Sequence, residues 1–183
     1  GIASTIYDEN IDLLPASPSL ESMAKTQITD RLAKVVQALS TSYGWIIIDT
    51  PPDLGVLTQN ALVAADYALI PTPCTGLAIP TLHQMKQLIE RVQERQNIWL
   101  QLMGVLVTMK DGRTPLQKNM KKELGNVFGP NDVFKTIITT NIKIEEAPAA
   151  SQSIYAYDSG CLGASLYRDW IKNFRGMADL KAP

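Results

Sequence analysis

The sequence predicts an α/β domain with a doubly wound, mostly parallel sheet and helices on both faces. Apolar runs of strand length alternate along the chain with longer segments whose apolar residues follow helical spacing. Several of these runs are continuously apolar, which is typical of strands buried on both faces of a parallel sheet. Such alternation favours parallel strands joined by right-handed crossovers. No internal repeat or flexible linker interrupts the pattern, so we expect a single domain over residues 1–183.

The individual elements follow from the same two patterns. The predicted strands are 11–14, 45–48, 67–70, 103–108 and 133–138. Apolar stripes at helical spacing predict helices over 28–39, 82–92 and 162–174. Pro80 is well placed for the first turn of the second helix, and packing against the sheet is the simplest role for all three stripes. Ligands of open α/β sheets bind beyond the carboxyl ends of the strands, so we expect functional residues directly after the strands.

The composition excludes several classes of protein. With 45% hydrophobic residues and a net charge of −1, the chain is neither disordered nor cationic overall. Two distant cysteines, Cys74 and Cys161, and a single histidine, His83, argue against a disulfide framework, a Cys/His metal site and a Ser-His-Asp triad. No apolar stretch reaches membrane-spanning length and no signal peptide is recognisable. The sequence therefore predicts a cytoplasmic protein.

An apolar run that ends in a carboxylate is the sharpest local signal. Residues 45–48 are followed by Asp49 and then by the segment TPPDLG. A carboxylate at the ligand edge of a sheet can hold Mg²⁺, usually through water, beside nucleotide phosphates. The two prolines and Gly55 suit a stiff, sharply turning loop of the kind that senses nucleotide. From these residues alone, an aspartate that caps the following helix is an equally good interpretation.

A family resemblance extends this signal over most of the chain. The region around Asp49 resembles the Walker B and switch II segment of ParA-type partition ATPases, the deviant-Walker group that also contains MinD, in the string YGWIIIDTPPDLGVLTQNALVAADYALIPTPC. Four further blocks are similar to the family pattern, in the family's order: NIDLLPASPSL, GVLVTMKDGRTPL, IITTNIKIEEAP and YDSGCLGASLYRDW. The chain is therefore identified by resemblance as a ParA/Soj-type ATPase domain with a P-loop NTPase-like fold.

The resemblance implies a site for ATP and Mg²⁺. Asp49 would be the Walker B carboxylate, with a catalytic role close to the metal, and residues 50–55 would form switch II. Thr108 and Met109 fall where the family's strand end approaches the adenine base, and 139–148 matches the loop on the other side of the base. The implied cofactor-binding residues are Asp49, Thr50, Pro51, Thr108, Met109, Thr140, Asn141 and Pro148. Glu146, within that loop, is expected to shape it rather than to donate a catalytic carboxylate.

Two departures from the family pattern bear on function. Thr139 and Thr140 stand where proline and arginine are common, and that arginine is associated with sequence-independent DNA binding. The family's Gly-rich phosphate loop, with two lysines and a Ser/Thr, and the switch I segment after it do not occur in residues 1–183. Because such a loop cradles phosphates with backbone N–H groups and lysine charge, the chain alone is expected to bind ATP poorly and to be inactive. The opening at Gly1 rather than Met suggests a missing N-terminal part; a natural truncated paralogue is the alternative.

Basic residues gather locally despite the neutral net charge. Contacts between such residues and phosphates give salt-sensitive, sequence-independent affinity for DNA, although a solvated helix face is the simpler explanation for any single lysine. The candidate DNA-binding residues are Lys118, Lys121, Lys122, Lys143, Arg168, Lys172 and Arg175.

The implied function is ATP-driven positioning or partition of a plasmid, a chromosome or a protein organelle such as a carboxysome. ATP would join two copies into a homodimer that binds nucleoid DNA without sequence preference, and a ParB-like or other adaptor protein would stimulate hydrolysis. A truncated, non-catalytic interaction module is one alternative. A MinD-like membrane-associated ATPase is another, but the short segment after the last helix offers little apolar face, so no stable membrane association is expected.

Overall fold

The computed structural model describes residues 3–4, 11–17, 20, 22, 25–111 and 115–181, with the side chains at all of these positions except 3–4, 115–118 and 175–181. The chain divides into two compact units, Gly1–Ala64 and Ala65–Pro183. None of the described helices combines the length and the apolar character that a bilayer span requires.

The first unit contains a short strand pair and two helices. Strands β1 (Ala3–Ser4) and β2 (Asp12–Leu13) are antiparallel, and the helices are α1 (Arg31–Leu39) and α2 (Val56–Ala64). Helix α1 confirms the stripe predicted over 28–39, whereas the strand predicted over 11–14 is limited to the two residues of β2.

The strand predicted over 45–48 is wrong for this structure. Residues 45–50 lie outside the helices and strands that the structure describes. Two of the four apolar side chains are open to solvent, since Trp45 is 64% exposed and Ile47 is 91% exposed. Ile46 and Ile48 are only partly buried. An apolar run becomes a strand only when a neighbouring backbone supplies its ladder of hydrogen bonds. Neither of the two sheets that the structure describes includes this run.

The second unit is built on two parallel strands and the helices that follow them. Its elements, in order, are β3 (Tyr67–Pro73), α3 (Ala78–Arg95), β4 (Gln101–Thr108), α4 (Pro115–Phe128), a 3-10 turn (Pro130–Asp132), α5 (Ile142–Ala149), α6 (Ile154–Asp158) and α7 (Leu162–Lys181). The predictions of two strands and of helices over 82–92 and 162–174 are confirmed, and Pro80 does lie in the first turn of α3.

Strand β4 is the centre of this unit. Its residues 103–107 are buried without interruption, so both of its faces are covered, whereas β3 alternates between buried and exposed residues. The parallel register shifts at Leu69, which pairs with Gly104 rather than with Met103. Gly104 has φ +150°, and a Cβ there would lie 2.8 Å from Cε2 of Phe134. The bulge therefore depends on glycine both for its backbone angle and for the close approach of Phe134.

The segment predicted as a strand over 133–138 runs beside β4 without forming a continuous strand. Parallel bridges join Val105 to Val133 and Lys110 to Thr139. One core cluster lies between this segment, β4 and α7. Its buried members are Met103, Leu106, Phe134 and Ile138, and the residues of α7 packed against them are Leu166, Tyr167, Trp170 and Phe174. The ring centroids of Phe134 and Trp170 are 5.9 Å apart in an edge-to-face arrangement, which is favourable for aromatic pairs.

Candidate functional site

In the first unit, the carboxylate of Asp49 is exposed at the end of the apolar run 45–48. Thr50 beside it is also exposed, and Pro51 is partly buried. The turn that leads into α2 is made by Asp53 rather than Asp49. The interpretation of Asp49 as a helix cap is therefore wrong, and its carboxylate remains available on the surface.

The loop after Asp49 is held in a defined turn. The Gly55 N–H donates to Oδ1 of Asp53 at 2.7 Å, and the Thr58 hydroxyl donates to the Asp53 carbonyl oxygen at 2.7 Å. A Cβ on residue 55 would lie 2.8 Å from that Oδ1, so glycine permits the close approach. These two contacts define the turn that follows the proline pair. The stiffness expected of 50–55 stays a prediction.

A buried amide fixes the helix that follows this loop. The Asn60 side chain on α2 donates to the carbonyl oxygens of Ile28 at 2.7 Å and Val56 at 2.9 Å, and its Oδ1 accepts the Leu32 N–H at 3.4 Å. Because a buried amide is costly unless its groups are paired, these bonds fasten α2 to the start of α1. Sequence reasoning missed this residue, because its partners are 28 and 32 positions away in the chain.

In the second unit, the carboxyl ends of β3 and β4 are tied together. The Thr108 hydroxyl donates to the Thr72 carbonyl oxygen at 3.2 Å, and the Cys74 N–H donates to the Thr108 carbonyl oxygen at 2.9 Å. Thr108 is thus partly occupied in joining the strands. Burial raises the pKa of the Cys74 thiol, which is consistent with an inert packing role.

Met109 protrudes from the end of β4. Its φ of +53° is unusual for a residue with a side chain, and the side chain is 68% exposed. The next residue, Lys110, makes two backbone hydrogen bonds with the 138–140 segment. Its N–H donates to the Ile138 carbonyl oxygen at 3.2 Å, and its carbonyl oxygen accepts from the Thr140 N–H at 3.1 Å. A strained residue held between paired neighbours at a ligand edge is a feature that binding sites often share.

The segment predicted as one loop over 139–148 is a loop only as far as Asn141. That residue caps α5, because its Oδ1 accepts the Lys143 N–H at 2.9 Å, and residues 142–149 are helical. Thr140 and Asn141 therefore lie beside Met109 in the paired segment, whereas Pro148 is exposed near the far end of α5. The Asn cap explains the difference, since it starts a helix where the family comparison suggested a loop.

A polar network joins α5 to α6. One carboxylate oxygen of Glu146, Oε2, accepts from the Lys143 ammonium at 2.9 Å and from the Tyr157 hydroxyl at 3.0 Å. The Lys143 ammonium also lies 5.6 Å from the centre of the Tyr157 ring. The Lys143 and Tyr157 hydrogen bonds lower the pKa of Glu146, and the same bonds raise the pKa of each donor. Lys143 is thereby committed to a structural contact.

The candidate DNA-binding residues fall into different environments. Lys172 lies 3.9 Å from Asp169, and Arg168 donates to the Ser159 carbonyl oxygen and stacks over Tyr155. Lys122 is exposed on α4, and Lys121, one residue earlier, donates to the Lys135 carbonyl oxygen at 2.6 Å. The side chains of Lys118 and Arg175 are outside the described residues. The five candidates whose side chains the structure describes therefore have different partners: a carboxylate for Lys143 and Lys172, a backbone carbonyl for Lys121 and Arg168, and an exposed position for Lys122.

A metal site made of protein groups alone is not found in the part of the chain that the structure describes. No three His, Cys, Asp or Glu side chains come together there. A magnesium ion beside a nucleotide needs fewer protein ligands, because it commonly keeps several water ligands and takes one or two carboxylates plus phosphate oxygens. The exposed carboxylate of Asp49 fits that requirement, whereas no Gly-rich Lys-Ser/Thr loop in residues 1–183 fits the phosphates.

Comparison with known proteins identifies related sequences. A family model described as an AAA domain (AAA_31) matches residues 2–102, which is more than half of the chain. The sporulation initiation inhibitor protein Soj of Bacillus subtilis is 37% identical over 169 residues, covering 90% of this chain and 66% of that protein. The chromosome-partitioning ATPase Soj of Treponema pallidum is 38% identical, covering 86% of this chain and 64% of that protein. The chain thus spans about two thirds of the length of these relatives.

Solved structures extend the comparison to the fold. Cobyrinic acid a,c-diamide synthase from Mycobacterium smegmatis, with bound ADP and magnesium, is 31% identical with a TM-score of 0.61, covering 69% of this chain and 53% of that chain. Apo McdA from Cyanthece has a TM-score of 0.71 at 19% identity, covering 97% of this chain and 70% of that chain. These neighbours confirm the predicted fold class, an α/β fold of the P-loop NTPase type with parallel strands and helices.

Proposed function

The chain belongs to the ParA/Soj-type family of partition ATPases, and from this premise we propose that it serves in ATP-driven positioning or partition. The cargo is a plasmid, a chromosome or a protein organelle such as a carboxysome. Two copies associate when ATP and Mg²⁺ are bound, and the homodimer binds DNA without sequence preference. An adaptor protein of the ParB kind stimulates hydrolysis, and the protein works on the nucleoid in the cytoplasm.

The single observation that best supports this proposal is the backbone pairing at the end of β4. The bonds between Lys110 and the 138–140 segment bring Met109, Thr140 and Asn141 to one strand edge, and Met109 is strained there. We propose that this edge receives the adenine base of ATP. An exposed apolar side chain next to polar residues suits a flat heteroaromatic ring, which has one surface for stacking and a rim for hydrogen bonds.

Asp49 supplies the other part of the proposal. Its exposed carboxylate would help to hold Mg²⁺, and the ion would neutralise phosphate charge during hydrolysis. The turn held by Asp53, Gly55 and Thr58 would give the 50–55 loop one preferred position beside it. Since residues 1–183 contain no phosphate loop, we further propose that this chain alone binds ATP weakly and does not turn it over.

ATP binding and hydrolysis by the protein as its gene encodes it in full would test the proposal. We expect a Mg²⁺-dependent ATPase in which Asp49→Asn lowers kcat at least tenfold while ATP binding persists, because the loss falls on the charge-neutralising step (order of magnitude). Asp66→Asn is the matched control, since Asp66 is also an exposed carboxylate but lies before β3. Equal activity of the wild type and Asp49→Asn would exclude the role given to Asp49.

The absence of hydrolysis altogether would favour the second candidate function, a non-catalytic interaction module. The observation in its favour is that residues 1–183 carry no Gly-rich Lys-Ser/Thr loop. Such a module would still bind an intact ParA-like partner. Co-purification of the two proteins, in the absence of ATP turnover by the chain itself, would identify it.

A further inference from the structure

Met109 is the most exposed of the methionines whose side chains the structure describes. It is 68% exposed, whereas Met103 and Met120 are each 1% exposed and Met85 is partly buried. Methionine usually fills gaps in a core, as Met103 and Met120 do. A reagent dissolved in water therefore meets the thioether of Met109 in the folded chain, but reaches those of Met103 and Met120 only when the fold opens.

The exposure of Met109 is built into the backbone, because the residues on both sides of it are paired. Before it, the Thr108 carbonyl oxygen accepts from the Cys74 N–H at 2.9 Å. After it, Lys110 is bonded to the 138–140 segment. Between these fixed points Met109 has φ +53°, which costs free energy for a residue with a Cβ. Neither the strained backbone nor the exposed apolar side chain stabilises the chain, so both indicate a functional role.

The thioether group of methionine reacts with peroxides in a defined way. A sulfur lone pair attacks one oxygen of hydrogen peroxide, and the O–O bond breaks as the S–O bond forms. The proton of the transferred oxygen passes to the departing hydroxide, which leaves as water, so the sulfur is oxidised and the peroxide is reduced. The product is a polar, chiral sulfoxide, which methionine sulfoxide reductases return to methionine. At Met109, this reaction would replace an apolar surface by a strong hydrogen-bond acceptor at the carboxyl end of β4.

We propose that Met109 is a site of reversible oxidation by hydrogen peroxide, and that its sulfoxide weakens the binding of nucleotide at this edge. The oxidation follows from the exposure of the residue, whereas its effect on nucleotide rests on the proposed function, in which this edge receives the adenine base. A base that lies against the sulfoxide displaces water from the S–O group, and this desolvation is costly unless a new hydrogen bond replaces the lost one. Peroxide thereby lowers the fraction of the protein that holds ATP.

The first experiment measures where peroxide reacts. The protein as its gene encodes it in full is treated with hydrogen peroxide for increasing times, and peptide mass spectrometry follows the gain of one oxygen atom at each methionine. We expect Met109 to be oxidised at least tenfold faster than Met103 and Met120 (order of magnitude). These two residues are internal controls, because they carry the same thioether in a buried position. Equal rates at the three residues would overturn the proposal.

The second experiment measures the affinity for ATP with Mg²⁺ before and after peroxide, in the wild type and in Met109→Leu. The affinity of the wild type should fall by about tenfold, and a methionine sulfoxide reductase should restore it. Leucine is not oxidised, so the affinity of Met109→Leu, whatever its starting value, should not change on treatment. Both proteins contain Cys74 and Cys161. An equal loss in the two proteins would assign the effect to another oxidised group and would contradict the role of Met109.

The remaining outcomes separate this inference from the proposed function. If the wild type binds ATP and its Met109 sulfoxide binds ATP equally well, the inference is wrong, while the proposed function stands. If the unoxidised wild type does not bind ATP, the effect assigned to the sulfoxide is overturned together with the proposed function. Circular dichroism before and after treatment checks the fold, and a loss of affinity that coincides with unfolding would also overturn the inference.

Discussion

Two regions of the molecule have similarly apolar, strand-like sequences and very different structures. Residues 45–48 and the core of β4 are both continuous apolar runs, and both were expected to be buried strands. Val105 on β4 is completely buried, with a parallel strand on one side and a bridged segment on the other, whereas Ile47 is 91% exposed. The difference shows that an apolar run defines a tendency, and that the neighbouring backbone decides whether it becomes a strand.

The largest expected effect comes from deleting matched apolar side chains in the two runs. Leu106→Ala removes a core side chain that is 3% exposed and should lower the free energy of unfolding by about 2–5 kcal/mol. Ile47→Ala should change it by less than about 0.5 kcal/mol, because the side chain is in water. Urea denaturation of both variants measures the contrast. A loss of stability in Ile47→Ala as large as that in Leu106→Ala would mean that the 45–48 run is packed in solution and does not differ from β4 in burial.

A smaller effect is expected from adding a methyl group next to each run. Gly104→Ala forces a Cβ to within 2.8 Å of Phe134 at φ +150°, and should cost about 1–3 kcal/mol. Gly44, directly before the 45–48 run, has no atom within 4 Å of its added Cβ, so Gly44→Ala should be close to neutral. Thermal unfolding of the two variants side by side provides the measurement. A neutral Gly104→Ala would show that the bulge in β4 is not rigid.

Removing the buried side-chain amide of Asn60 in the first unit should lower the stability by a similar or slightly smaller amount than Gly104→Ala does. Asn60→Ala leaves the Ile28 carbonyl oxygen and the Leu32 N–H without their side-chain partner, and we expect a loss of about 1–2 kcal/mol in the free energy of unfolding. Gln59→Ala on the same helix is the control, since the Gln59 side chain is only partly buried. If both substitutions had the same small effect, the bonds of Asn60 would not fasten α2 to the start of α1.

The smallest expected effect is a change in the pKa of Glu146, which belongs to the polar network that joins α5 to α6. Because the pKa of Glu146 is lowered in the folded chain, the network stabilises the fold above the ordinary glutamate pKa, and this contribution is lost as the pH falls through the lowered value. Lys143→Met should raise the pKa of Glu146 towards its ordinary value. The substitution removes the hydrogen bond from Lys143, which lowers this pKa more than the bond from Tyr157 does. NMR titration of the Glu146 side chain tests this, with Lys172→Met as the control. An unchanged pKa in Lys143→Met would contradict the network.

The elements that could be predicted from the sequence are those whose pattern is local. The stripes of α3 and α7 repeat over several turns, and the run in β4 is long and continuously apolar, so each carries its own evidence. The start of α5 was missed for a different reason. Asn141 has the side chain of a helix cap, but the family comparison favoured a loop through Pro148, and that comparison outweighed the local signal.

The candidate site was predictable to a smaller extent than the fold. Asp49, Met109 and Thr140 are predictable from the sequence, because each follows an apolar run and matches the family pattern. The contacts that position other groups are not local: Glu146 meets Tyr157 across two helices, and Lys121 meets Lys135 across 14 positions of the chain. The sequence alone therefore does not predict which lysines have a carboxylate partner, as Lys143 and Lys172 do in the folded chain.

In the proposed function, nucleotide controls DNA binding by this protein. The most direct measurement is its affinity for duplex DNA with and without ATP and Mg²⁺ at several salt concentrations. We expect binding to strengthen at least tenfold with ATP and Mg²⁺ and to weaken steeply as salt rises, because the contacts are made to phosphates (order of magnitude). An affinity that does not change when ATP is added, or that is insensitive to salt, would contradict a ParA-type role.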